Sequence, residues 1–466
     1  MPTSTSTTTP TAVPVQRPIA AAGPIHWLRN NLFRSWLDTL LTIFVGIVAV
    51  SLISRFFQWI TSEAQWTVIT SNFRVLMQGL YPIDQGWRLV VAVIVIVALA
   101  GISWGIWGHM FTSTTIMLVV GTFSVLIVSI LGPTISDSTD LARYFRGEIV
   151  PLLEILRVPI LILVLCLLLG YAIGQIAIVL APHGAQRGAI IGWLLSIPVV
   201  FLLVRGLAPD TPGLPLVPTS IWGGLLLTFM MAFVAIVSCF PLGILLALGR
   251  SPGGTSPRQA PLPAFWFINF HQWYVVGTRW WRNLGPYPIF KLFCALYIEF
   301  FRGVPLITVF FTANLLVPFA LGSTELDSVV RAMIALTLFE AAYIAEIVRG
   351  GLQALPPGQL EAAKALGLSP LHATLFITMP QALRTVIPAL VGQFITMFKD
   401  TSLVAVVGLL DLLGIAQGVL AQQQFAGRQR EMYVFVALVF FIFSFGMSRA
   451  AQQLERSGSG RLQFER

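Results

Sequence analysis

The side chains able to do chemistry are few, and most sit inside long apolar runs. The five histidines are scattered; His183 and His372 border apolar runs and read as solvated surface residues rather than bases. Cys166, Cys239 and Cys294 lie far apart inside apolar runs, without metal-ligand spacing, and are expected to be small buried hydrophobes. No G-x4-GK[ST] phosphate loop is present, so ATP is not bound by that route. No nucleophile has a readable base beside it, so neither a catalytic residue nor a metal site is assigned. What remains is charge in apolar surroundings, where it is costly to keep. Glu299 and Arg302 stand three residues apart, as do Glu346 and Arg349, and each pair is expected to be a structural ion pair near a helix end. Glu340 lies six residues before Glu346, in LTLFEAAYIAEIV, with no basic residue three or four positions away. A carboxylate in a low-dielectric cavity attracts a cation. Glu340 is therefore a candidate contact for a cationic group of a substrate, or for a partner subunit, with Tyr343 as a neighbouring pathway candidate. Lys399, Asp400, Thr401 and Ser402 end a later apolar run and either line the mouth of a pathway or cap that helix.

A second signal lies in residues 355–380, LPPGQLEAAKALGLSPLHATLFITMP. Pro356 and Pro357 end one helix and open another, since proline fits a first helical turn. Leu360, Ala363 and Leu366, at i, i+3 and i+6, form one apolar side. Glu361 and Lys364 fall on a different side, three apart, and can pair. Gly367 permits a positive φ and ends the helix. Ser369-Pro370 starts a second short helix, which runs into a span after Pro380. The predicted product is a helix–turn–helix lying across the membrane surface, a geometry shared with any interfacial amphipathic helix.

The elements that hold these residues follow from composition. The chain has 466 residues, of which 56% are hydrophobic and 10% charged; soluble domains carry about 25% charged residues. That excludes a soluble enzyme, a disordered chain and a fibrous one, and points to a polytopic membrane protein. The 28 Lys+Arg against 19 Asp+Glu give +9. The arginines are spread between apolar runs, as at cytoplasmic helix ends, and no nucleic-acid partner is expected. Ten spanning helices are predicted near 36–58, 88–109, 113–132, 154–181, 188–205, 220–248, 291–317, 328–348, 376–398 and 431–450. Run length excludes barrel strands, so the predicted fold is all-α. Residues 1–34 read as a disordered tail without a secretory signal. Residues 35–205 hold N-terminal helices without a readable role, 206–219 form a Pro/Gly-rich linker, 220–456 a second domain, and 457–466 a tail. Arginines in the first tail, in loop 250–291 and at the C-terminal end place these on the cytoplasmic side, opposite Glu325 and Asp327. Arg428 and Arg430 alone disagree. Gly101/Gly105, Gly170/Gly174 and Gly188/Gly192 suit close helix packing.

Within 355–380, Glu361-Ala362-Ala363, three residues, Gly367, nine residues and Ile377-x-Met379-Pro380 resemble the EAA loop of ABC import permeases, with Met379 in place of leucine. The stretches YIEFFRGVPL at 297–306, AYIAEIVRGG at 342–351 and FKDTSL at 398–403 are similar to segments of its polar-amino-acid branch. The resemblance covers roughly 220–456. The overall length is similar to the longer permease of general L-amino-acid importers, which use two different permeases. The resemblance implies a five-helix type I ABC importer core whose Glu361, Ala362, Ala363, Gly367, Ile377 and Pro380 couple to a separate ATPase. It also implies two ATPase copies, a second related permease, a periplasmic or extracellular binding protein and an amino-acid substrate. ATP and Mg would be held by the ATPase, with no cofactor in this chain. The implied location is a bacterial inner membrane, multi-pass, with both termini cytoplasmic. The competing reading is an ion-coupled secondary transporter acting alone, which predicts internal repeats and paired broken helices; no repeat between the halves is readable. A non-transporting scaffold would need no charge at membrane depth.

Overall fold

The computed structural model describes residues 31–107, 149–209, 211, 213–250, 288–322, 326–369 and 372–459. The helix expected near 113–132, the tail to residue 30, most of loop 250–291, Glu325 and Pro370 lie outside the described residues. Among the described residues, eight helices are long and apolar enough to cross a membrane, or nine if one bent pair counts as a single span. Among the described residues no element is a strand.

Two compact units are distinguished, Met1–Gln65 and Trp66–Arg466. The first carries α1 (Trp36–Gln58). Ser35 caps it by accepting from the Asp38 N–H while the Asp38 carboxylate reaches back, a capping box. α1 is apolar all round and none of its residues is buried, as suits a helix whose solvent is lipid.

The second unit begins with two short helices that periodicity did not reveal, α2 (Thr67–Thr70) and α3 (Phe73–Gln78). Then come α4 (Gly86–Trp107), α5 (Ile149–Leu180) and α6 (Pro182–Arg205). α4 and α5 cross at their glycines. A methyl group on Gly101 would strike the Leu167 carbonyl, one on Gly105 the Tyr171 carbonyl and one on Gly174 the Ile102 carbonyl. Backbones can come this close only where side chains are missing. Gln175 donates to the Gly105 carbonyl at 2.8 Å and Trp193 of α6 to Ser103 at 2.9 Å, tying the three helices together.

The linker after α6 is pinned rather than loose. Fully buried Arg88 donates to the carbonyls of Pro215 at 2.8 Å and Gly213 at 3.4 Å. The Tyr81 hydroxyl donates to the Val204 carbonyl at 2.8 Å. Isolated bridges join Gly79 to Trp222 and Gly224 to Asp411.

The remaining elements are α7 (Gly224–Arg250), α8 (Pro288–Gly303), α9 (Leu306–Phe311), α10 (Val317–Leu321), α11 (Ser328–Gln353), α12 (Pro357–Ala365), α13 (Met379–Asp400), α14 (Leu412–Leu420) and α15 (Gln429–Ser459). α7 and α11 form the central pair, α13 packs on α11, and α15 packs on α13. The span expected at 291–317 is not straight. Its two pieces, Ile289–Gly303 and Leu306–Ala320, are bent by 106°. Pro305 is extended, with ψ 139, and proline disfavours helix in the residue before it. Residues 401–430 hold a 3-10 stretch, Thr401–Val407, and the short α14, too broken to cross.

Candidate functional site

α12 is positioned by its own caps. Pro357 supplies the first turn. At the other end the Gly367 N–H donates to the Lys364 carbonyl at 2.9 Å and the Leu368 N–H to the Ala363 carbonyl at 3.1 Å. These two bonds, with Gly367 at φ 76, make a Schellman stop. The Ser369 hydroxyl then receives the His372 N–H at 3.4 Å and contacts His372 Nδ1 at 2.6 Å. From there the chain passes through a π-turn, Ala373–Thr378, straight into α13.

Ala363 is buried at 1% exposure, where α12 packs on the π-turn, so its small size sets the approach. Glu361 and Ala362 are exposed, Ile377 is half-buried within the π-turn and Pro380 is exposed at the start of α13. Leu366 was expected on the apolar side with Leu360 and Ala363, but it is 81% exposed because it belongs to the cap and not to the helix face. Phe376, 71% exposed and stacked on His372 at 5.8 Å, adds to this outward apolar surface. Gln381 reaches back to Gln359 at 3.4 Å, a link that sequence spacing could not reveal.

Near the C-terminal end of α11, the end from which α12 follows, lies an ion cluster. Glu346 binds Arg349 as expected, at 2.8 Å. The expected Glu299–Arg302 pair is corrected. Glu299 binds Arg250 at 2.6 Å, and Arg302 turns instead to Glu346 at 3.4 Å. Arg250 also binds Glu346 at 2.9 Å. The cluster thus gathers the ends of α7, α8 and α11. Tyr343, half-buried on α11, packs against Phe339 at 5.2 Å and lies under Arg302 at 5.9 Å.

Glu340 is 0% exposed and accepts from Gln393 of α13 at 2.8 Å, a partner that sequence reasoning missed. The structure does not join it to the ion cluster. Lys399 is exposed and Asp400 half-buried. The hydroxyls of Thr401 and Ser402 donate to the carbonyls of Phe398 and Lys399, each at 2.8 Å, and so cap the end of α13. Among the described residues no group of three or more His, Cys, Asp or Glu could hold a metal ion.

A family profile described as "Binding-protein-dependent transport system inner membrane component" matches residues 275–458. The glutamate/glutamine/aspartate/asparagine transport system permease protein BztC of Rhodobacter capsulatus is 35% identical over 473 residues, 95% of each chain. The inner membrane amino-acid ABC transporter permease protein YhdY of Escherichia coli is 32% identical over 447 residues, 92% of each chain. BztB of R. capsulatus, a permease named for the same transport system as BztC, is 39% identical over 173 residues, 37% of this chain and 38% of BztB.

Proposed function

Because the chain belongs to the family of binding-protein-dependent transport system inner membrane components, we propose that it is a transmembrane permease subunit of an ATP-driven ABC importer for amino acids. The observation that carries this reading is the likeness to a named amino-acid transport permease over 95% of both chains. An independent secondary transporter finds no support in that likeness.

In this reading the chain forms half of the translocation pathway and hydrolyses no ATP itself. α12 is the coupling helix. Its support is the exposed Glu361, Ala362, Leu366 and Phe376 surface held rigidly between two spanning helices. One of two ATPase subunits, which hold ATP and Mg, docks there, on the cytoplasmic side of a bacterial inner membrane, the side that also holds both termini. A second, related permease completes the pathway, and a binding protein delivers the amino acid from outside. The pairing of unlike permeases is supported by the two permeases named for one system in R. capsulatus. Tyr343 and Lys399–Ser402 contribute to the pathway. Glu340 reaches substrate only when α11 and α13 part, since Gln393 covers it in this conformation.

Affinity purification of the tagged chain from its own membranes tests the reading. A second permease and an ATPase are expected to co-purify, and the chain alone is expected to hydrolyse no ATP. A homodimer that transports without a second permease would refute the pairing.

A further inference from the structure

α11 and α13 meet at two places. Near the end of α11 that leads into α12, a methyl group on Gly351 would strike Val386 and the Ala382 carbonyl of α13, so the backbones come close there. About 16 Å further back along α11, Glu340 accepts from the Gln393 side-chain amide of α13 at 2.8 Å. Glu340 is fully buried, and its second oxygen, Oε1, has no hydrogen-bond partner. Among the described residues Glu340 joins no ion pair. A buried acid without a counter-charge is costly, and an unsatisfied buried oxygen adds to the cost. Apolar side chains at these two positions would join the helices without either.

α13 is held near both ends and can yield between them. One hold is the Gly351 contact. The other is Phe398, whose ring lies 5.8 Å from Phe229 of α7 and 5.3 and 5.7 Å from Phe440 and Phe443 of α15. Between the two holds, Pro388 has no N–H to give the Arg384 carbonyl, and helices bend where that bond is missing. Gly392 faces open space, since an added methyl group would meet nothing within 4 Å. The Gln393 bond ties this yielding stretch to α11.

A neutral amide and a cation compete for this carboxyl group on unequal terms. Gln393 donates one N–H to it and brings no charge. An ammonium or guanidinium brings several N–H donors and the missing counter-charge. We propose that Gln393 occupies, in the empty transporter, the place on Glu340 that the cationic side chain of a basic amino acid takes during transport. The exchange keeps the acid partnered in both states. An internal competitor lowers the apparent affinity of the ligand it excludes, so Gln393 sets the affinity for basic substrates by acting through Glu340. It is a positioning residue. The inference rests on the amino-acid importer reading and deepens it by naming the substrate class that this pair selects.

The membrane complex with its ATPase, without the binding protein, is placed in nanodiscs, and equilibrium binding of labelled arginine and glutamine is measured. Leaving out the binding protein makes the membrane site the one that is read. Gln393→Met, which keeps the length of the side chain and cannot donate, should lower the Kd for arginine about tenfold, the equivalent of one hydrogen bond to a charged group. The Kd for glutamine should not move. Gln393→Asn, whose amide is one methylene short of Glu340, should act the same way and serves if the methionine variant fails to assemble. In a Glu340→Gln background, Gln393→Met should not tighten arginine binding, because the group competed for is gone. Weaker arginine binding in Gln393→Met would make Gln393 itself a substrate contact and overturn the exchange. Equal shifts for both amino acids, or none, would make the bond a structural tie between α11 and α13 and overturn it as well. ATP-driven uptake by the wild type with its binding protein keeps the two readings apart. Amino-acid uptake alongside unshifted binding overturns the exchange alone, and no uptake of any amino acid overturns the importer reading with it.

Discussion

Glu346 stands 15% exposed with three guanidiniums around it, so it decides how the ends of α7, α8 and α11 meet. Glu346→Gln removes the hub and leaves Arg250, Arg302 and Arg349 facing Glu299 alone. A loss of about 2 kcal/mol is expected, between the values for surface and buried pairs, and thermal unfolding of the purified complex would measure it. The Arg349 half of this cluster is legible in sequence, because i and i+3 share a helix face. The Arg250 half is not, since the partners are 96 and 49 residues away. The same limit hides Gln393 from Glu340, 53 residues apart. Glu340→Gln keeps the shape and an acceptor for Gln393 but removes the potential charge. At matched expression, uptake of basic amino acids should fall more than uptake of neutral ones. Equal losses for both classes would assign Glu340 to packing between α11 and α13 instead.

At the scale of elements, local punctuation carried over into structure wherever one residue's backbone preference decides the outcome. Pro357 and Gly367 bound α12 in the sequence and in the fold alike. Pro305 carried a comparable signal for the bend between α8 and α9, but it is outweighed in the sequence by the apolar run on either side. The short α2 and α3 lack a hydrophobic period long enough to read. The α4–α5 crossing is only partly legible, since glycine spacing names a close approach but not the partner. Gly105→Ile would force its side chain into the Tyr171 carbonyl and the Gly174 backbone. Overpacking of this kind should cost about 3 kcal/mol, readable as a lower melting temperature in detergent. Asp411 caps α14 through the Gly414 N–H at 2.9 Å, and its second oxygen is buried without a hydrogen-bond partner. Burial pushes its carboxyl up from 3.8 to about 6. The folded state therefore keeps a proton that the unfolded chain releases, and stability falls as pH rises through that interval. Asparagine also caps helices, so Asp411→Asn should show a flatter melting temperature from about pH 4 to about pH 7 than the wild type.

At the scale of the whole molecule, the α7–α15 region presents an outward surface built on α12, with Glu361, Ala362 and Leu366 exposed. The membrane class and the bounds of α12 were legible because composition and fixed spacing are properties of the sequence itself. The packing of α4–α6 and the pinned linker were not, because they depend on which distant backbone comes close, as Arg88 does to Pro215. In the proposed function, ATP use elsewhere moves this chain through α12. The most direct measurement is ATP-driven amino-acid uptake into vesicles rebuilt from the complete transporter, comparing wild type with Gly367→Val. Valine opposes the positive φ that ends α12 and should misplace the helix without touching the spans. Uptake and substrate-stimulated ATP hydrolysis should both collapse while the complex stays assembled in the membrane. Normal uptake by Gly367→Val at equal protein would contradict the claim.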